Sequence, residues 1–167
     1  MVIQKKYLGT TVLEESRKRI EWTFDNFERI YVSFSGGKDS TVMLHLVMDE
    51  AIKRNQKVGV MFIDWECQLS LTINHIREMY NTYSANIDPY WVQIPIRTWN
   101  GCSQFEPEWT AWDEIKKDLW VREKEKEGTI KNKKFFPFYY PNMMFEEFTP
   151  LFAKWYSQNE KCACFIG

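Results

Sequence analysis

The 167-residue sequence has no charge excess: 22 Lys and Arg stand against 23 Asp and Glu, for a net charge of −1. That balance excludes a global basic field that would gather nucleic acid, and it excludes an acidic unfolded tail. It leaves room only for a local basic groove. No run of about 18 apolar residues occurs, so no segment reads as a membrane-spanning helix. The opening MVIQKKYLGTTVLEE has no apolar stretch of the secretory kind, and the chain reads as cytoplasmic. Cysteine is sparse: Cys67, Cys102, Cys162 and Cys164 include no CxxC pair, which removes the usual zinc and disulfide frameworks and leaves free thiols as the expectation. No internal repeat or low-complexity tract is present.

What is present suffices for one globular domain, because 44% of the residues are hydrophobic. Between Thr11 and Phe27, the positions Leu13, Ile20, Phe24 and Phe27 recur at helical spacing against a charged opposite side. RIYVSFS (29–35) reads as a buried strand that ends at two glycines. A helix follows, capped by Asp39 or Ser40, with Val42, Met43, Leu46 and Val47 as its core face. VGVMFIDW (58–65) is a second strand, SLTINHIREMYNTY (70–83) a second core helix, and YWVQIPI (90–96) a third strand. Strand, loop, helix and strand within about 35 residues make a βαβ unit, and strands apolar on both faces indicate a covered parallel sheet. The fold class is α/β.

The alternation breaks after Arg97. A helix through Trp109, Trp112, Ile115 and Leu119 and ending at Gly128 is expected, then an irregular stretch, then a helix opening at Thr149-Pro150, and a last strand in CACFIG. Residues 97–148 therefore read as an insertion on a core formed by 11–96 and 149–167.

The decisive stretch is the turn after the first strand, SGGKDS (35–40). A parallel strand delivers the chain to the carboxyl edge of the sheet, where the next helix begins with unpaired N–H groups and the positive end of its dipole. Gly36 and Gly37 allow the backbone to turn sharply and bring successive N–H groups towards phosphate oxygens, Lys38 adds a mobile positive charge, and Ser35 and Ser40 add hydroxyl donors. The Walker pattern fails because Asp39 follows the lysine and Val32 stands where its first glycine belongs; the dinucleotide pattern GxGxxG fails as well.

The S-G-G-x-D-S pattern, after a strand and before a helix, resembles the pyrophosphate loop of PP-loop ATP pyrophosphatases, the adenine nucleotide α-hydrolase-like superfamily. RIEWTFDNFERIYVSFSGGKDSTVMLHLV, together with the terminal CACFIG, is similar to the phosphoadenosine phosphosulfate (PAPS) reductase family, in particular its prophage co-activator or DNA-modification-type subgroup. The resemblance implies a Rossmann-like parallel sheet with helices on both faces, and the aromatic-rich insertion precedes the last strand. It implies an adenine nucleotide, ATP or PAPS, with Mg²⁺, used for ATP pyrophosphatase-type chemistry or for sulfur metabolism. Carried over, it places Ser33, Ser35, Gly36, Gly37, Lys38, Asp39 and Ser40 at the phosphates, and Ile63, Asp64 and Trp65 beside the adenine and ribose. Lys38 and Asp39 are the candidate catalytic residues. Asp39 fixes the loop or helps hold Mg²⁺; Asp64 accepts a ribose hydrogen bond or ligates the metal, with Glu66 nearby; Trp65 stacks or packs. His45 and His75 receive no chemical role.

Two departures accompany the resemblance. The family's Gly-x-Arg segment, and the cysteine tail of its sulfonate-accepting members, find no counterpart before Gly167, so a longer natural chain is expected. Cys162 and Cys164 read first as inert thiols, with a sulfur carrier or cluster ligand as the alternative. In 97–148 the aromatic residues Trp99, Phe105, Trp109, Trp112, Trp120, Phe135, Phe136, Phe138, Tyr139 and Tyr140 stand beside Lys131, Lys133 and Lys134. This mixture reads first as a satellite core covering the sheet, and alternatively as a surface for a protein or nucleic-acid partner. Beyond the enzyme, the rival expectation is a non-catalytic nucleotide-binding regulator.

Overall fold

Thr11 opens the first helix, α1 (Val12–Asn26), with a capping box: its hydroxyl accepts from the Glu14 N–H at 3.2 Å while the Glu14 carboxylate accepts from the Thr11 N–H at 2.8 Å. In the computed structural model, which describes residues 9–167, there follow β1 (Arg29–Ser33), α2 (Lys38–Lys53), β2 (Val58–Ile63), α3 (Ser70–Thr82) and β3 (Ile87–Val92). The second half contains β4 (Ile96–Trp99), β5 (Glu108–Ala111), a 3-10 segment (Glu114–Leu119), α4 (Phe145–Ser157) and β6 (Cys162–Ile166).

β3, β2, β1 and β6 form one parallel sheet in that order. Its strands alternate between two cores, as the period of 2 requires. Ile30 and Val32 of β1, with Val58, Val60 and Phe62 of β2, face α1, α2 and α3; Tyr31, Met61 and Ile63 face α4 and Phe136. Helices thus cover both faces, an α/β architecture consistent with a Rossmann-like fold. From β1 the chain winds outward through α2 and α3 to β3, then returns over the opposite face through α4 to β6 on the other side of β1. The strand order therefore reverses beside β1, and the loop leaving β1 sits at that switch point, where open α/β sheets bind ligands.

Several elements differ from the sequence expectation. β3 starts at Ile87 rather than Tyr90 and includes Pro89, which an edge strand tolerates because its outer N–H row needs no ladder partner. The core face of α2 is Ser40, Leu44, Val47, Met48 and Ala51, while Val42 is exposed. No α-helix forms through Trp109 to Leu119, only the short 3-10 segment from Glu114. Trp109 pairs with Thr98 in the β4–β5 hairpin, Trp112 adopts a left-handed φ of 55°, and Ile115 and Leu119 face outward. α4 begins five residues before Pro150, because Glu147 caps the Met144 N–H at 2.8 Å and Phe148, Phe152 and Tyr156 form one buried stripe. Pro150 lies inside that helix. Much of the aromatic insertion is core: Phe136 and Trp112 are fully buried, and Phe136 packs edge-on against Phe148 at 5.3 Å. No helix among the described residues is long and apolar enough to cross a membrane.

Candidate functional site

β1 ends at Ser33, and residues 35–37 turn the chain into α2. Gly36 adopts a φ of +77°, and a Cβ there would come within 2.9 Å of Ile76 and 3.0 Å of Thr72, so α3 lies directly against the turn. Gly37 differs from expectation: its φ is −76° and the nearest atom to an added Cβ is 3.4 Å away. It is the N-cap of α2 and has no capping side chain, so neither Asp39 nor Ser40 plays that part. Both lie within the first turn, because the helix already begins at Lys38.

The hydroxyls brace the turn from within. Ser35 Oγ and Ser40 Oγ stand 2.9 Å apart, the Gly37 N–H donates to Ser35 Oγ at 3.3 Å, and Ser40 Oγ donates to the Gly37 carbonyl at 3.0 Å. Ser40 is buried at 2% exposure. The serines therefore shape the turn. Among the described residues no acceptor takes the N–H groups of Gly36, Lys38, Asp39 or Ser40. Those of Lys38, Asp39 and Ser40 are orphan donors of a helix start, at the carboxyl edge of the sheet. Lys38 and Asp39 are exposed and paired at 2.6 Å. Gly167, just past β6, lies against the first turn of α2: a Cβ there would come within 2.6 Å of the Ser40 Cα and 2.8 Å of the Ser40 nitrogen.

The end of β2 has a different use. Asp64 is 1% exposed and both its oxygens are occupied. Oδ1 accepts from the Glu66 N–H at 2.9 Å and from Arg122; Oδ2 accepts from Trp91 Nε1 and Gln93 Nε2, each at 2.8 Å. A carboxylate offers about four acceptor positions, and here all are filled. Glu66, at a left-handed φ of 67°, accepts from the Trp112 N–H at 2.8 Å and the Val121 N–H at 3.3 Å. The Trp112 indole donates to the Asp64 carbonyl at 2.7 Å, and Gln93 Oε1 accepts from the Glu125 N–H and the Thr129 hydroxyl. These side chains strap residues 112–129 across the sheet edge.

The expectation that Asp64 binds ribose or Mg²⁺ thus meets a carboxylate with no acceptor position to spare. Asp39, the other metal candidate, is paired with Lys38, and among the described residues no three His, Cys, Asp or Glu side chains gather as a metal site. Ile63 is buried in the α4-side core, and Trp65 is half-buried against Phe145 and Trp109, with ring centroids 5.4 and 6.4 Å away. Trp65 packs in these contacts. Ser33 pairs with Met61 and Ile166 as the last residue of β1.

Sequence reasoning missed the partners of this edge. Arg122, Gln93 and Trp112 lie in segments whose spacing carried no motif, and only the fold brings them to Asp64. It also missed His75, whose Nε2 lies 2.9 Å from the Thr41 hydroxyl beside the turn. A helical spacing of three and four residues between Thr72, His75 and Ile76 was the available signal. Burial pushes Cys67, Cys162 and Cys164 up from the ordinary cysteine range.

With this geometry in view, residues 29–135 match the model of the phosphoadenosine phosphosulfate reductase domain. The chain belongs to that family. Over 168 aligned residues it is also 44% identical to the uncharacterized protein YbdN of Escherichia coli (strain K12), an alignment covering 100% of this chain and 41% of YbdN. The chain thus spans about two fifths of that relative's length. The family match includes β1, the turn and α2, the elements that create the free N–H groups at the switch point.

Proposed function

We propose that this chain is an adenine nucleotide-binding domain whose turn at 35–40 holds the nucleotide phosphates. One observation carries the reading: among the described residues no acceptor takes the N–H groups of Gly36, Lys38, Asp39 and Ser40, at the switch point of a PAPS reductase family sheet. Such donors, with the helix dipole, suit an oxyanion, and Lys38, at 88% side-chain exposure, can reach a β- or γ-phosphate. Asp39 holds Lys38 near the turn. Mg²⁺ belongs to this reading as the counter-ion brought in on the nucleotide's own phosphates.

Two chemistries fit the family. In one, an acceptor oxygen attacks the α-phosphorus of ATP, the new P–O bond forms, and the bond to the bridging oxygen breaks with its electron pair leaving on pyrophosphate. The turn's N–H groups and Lys38 then stabilise that leaving charge. In the other, a thiolate attacks the sulfonate sulfur of PAPS, an S–S bond forms, and the S–O bond to the 5′-phosphate breaks with its electron pair leaving on adenosine 3′,5′-bisphosphate. The first is favoured, because burial shifts Cys67, Cys162 and Cys164 upward, the direction opposite to that of an activated sulfonate-accepting thiol. Release of pyrophosphate from ATP, followed by a coupled phosphate assay over a panel of acceptors, tests this; turnover of PAPS to sulfite without pyrophosphate release would reverse the choice.

A second reading rests on a separate observation. Trp99, Phe105, Ile115, Leu119 and Val121 are each more than 60% exposed, all within 97–148. Exposed apolar side chains gathered in one insertion suit a protein partner. On this reading the domain is a regulator that binds nucleotide without turning it over. Nucleotide-dependent partner capture with no product formed would favour it over the enzyme.

A further inference from the structure

The Gly37 carbonyl faces more donors than it can serve. The Thr41 N–H lies 2.9 Å from it, the Ser40 hydroxyl 3.0 Å and the Thr41 hydroxyl 2.8 Å, whereas a carbonyl has two lone pairs. Thr41 has a single hydroxyl proton. It goes either to the Gly37 carbonyl or to His75 Nε2, 2.9 Å away on α3. When His75 Nε2 carries a proton it donates to Thr41 and directs the hydroxyl onto Gly37; when Nε2 is bare it draws that hydroxyl away. His75 is half-buried, with its ring 6.3 Å from that of Phe34, so its reach towards Thr41 is set by packing.

The consequence passes through the planarity of the peptide bond. The Gly37 carbonyl and the Lys38 N–H belong to one rigid trans peptide and point in opposite directions. Whatever holds the carbonyl therefore aims the Lys38 N–H, one of the free donors at the turn. Thr72 and Ile76, on the same side of α3, press against Gly36 and keep the helix in register with the turn.

We propose that His75 is a positioning residue for the phosphate turn: through Thr41 it fixes the Gly37–Lys38 peptide plane and so aims the Lys38 N–H at a nucleotide phosphate. The inference rests on the nucleotide reading above. It assigns His75 no contact with the ligand. Its loss should therefore affect phosphate recognition and leave the adenosine part alone.

The test uses His75→Ala, His75→Gln, Thr41→Val and the His75→Ala/Thr41→Val pair. Calorimetric titration with ATP and with adenosine is joined to amide hydrogen exchange at Thr41, whose N–H bonds the Gly37 carbonyl. The proposal requires Nε2 to carry the proton, so His75→Ala removes the donor that turns the Thr41 hydroxyl onto Gly37 and should weaken ATP roughly 3- to 10-fold, the worth of one well-placed hydrogen bond, with adenosine affinity unchanged. His75→Gln, which keeps an N–H donor, should recover most of the loss, and His75→Ala should add nothing in the Thr41→Val background. Thr41 exchange should quicken in His75→Ala at an unchanged melting temperature. Equal ATP affinity and equal Thr41 exchange in wild type and His75→Ala would overturn the inference, as would a parallel loss of adenosine binding. If the wild type binds neither ATP nor PAPS, the nucleotide reading fails, and the Thr41 exchange result alone then upholds or overturns the positioning of the turn.

Discussion

Gly36 and Ile76 approach so closely that a Cβ on Gly36 would lie 2.9 Å from the Ile76 side chain. The contact ties the turn after β1 to α3 on the same side of the sheet. Its partner in the motif, Gly37, has neither the positive φ nor the crowding.

The two glycines should therefore respond differently. Gly36→Ala combines the left-handed penalty with overpacking against Ile76 and should cost about 2–4 kcal/mol. Gly37→Ala, at an ordinary φ in an N-cap position, should cost no more than about 1 kcal/mol. Urea denaturation of the two variants checks this. Equal losses would mean that the turn is not set by its packing on α3.

Asp64 should behave as the anchor of the strap over 112–129. Asp64→Asn leaves Arg122 buried without its counter-charge and should destabilise the domain by about 3–5 kcal/mol. Asp64→Asn combined with Arg122→Met should recover a large part of that, since the uncompensated charge is gone. Denaturation followed by tryptophan fluorescence reads both, because Trp91 and Trp112 bond to Asp64 directly. A neutral Asp64→Asn would show that the buried pair is not what holds the strap.

How much of this was legible in the residues follows from range. The turn was legible because strand, SGGKDS and helix are contiguous, and backbone geometry alone directs its N–H groups. The parallel sheet was legible because β1 and β2 are apolar on both faces. The role of Asp64 was not, since its side-chain partners lie 27 to 58 residues further along and only the fold brings them together. Periodicity misled at Trp109, Trp112, Ile115 and Leu119: helical spacing was present, but hairpin pairing at Trp109 and the indole bond of Trp112 outweighed it. Pro150 misled in the opposite sense, because the stripe Phe148, Phe152 and Tyr156 buries enough aromatic surface to keep a proline inside α4.

Glu50 makes stability depend on acidity. Burial alone would raise its pKa, but hydrogen bonds from Arg54 and Lys53 outweigh that and hold the carboxyl below its ordinary value. Arg54 also bonds Asp25 of α1 at 2.6 Å, so the group joins α1 to α2. A carboxyl with a lowered folded pKa adds stability above its unfolded pKa of about 4.3 and loses it as pH falls through the folded value. Glu50→Gln should therefore melt below wild type at neutral pH, and the gap should close as the pH drops below about 4. Melting curves across that range check the sign; a gap independent of pH would contradict it.

The central claim is that the turn at 35–40 holds nucleotide phosphates. It is tested most directly by calorimetric titration with ATP and Mg²⁺, and with PAPS, of the wild-type chain and of Lys38→Glu, whose exposed side chain leaves the fold intact. Binding of one of these nucleotides, weakened by about tenfold or more in Lys38→Glu through loss of a charge-assisted contact, is the predicted result. A folded wild-type chain that binds neither nucleotide, or that binds unchanged when Lys38 is reversed in charge, would contradict it.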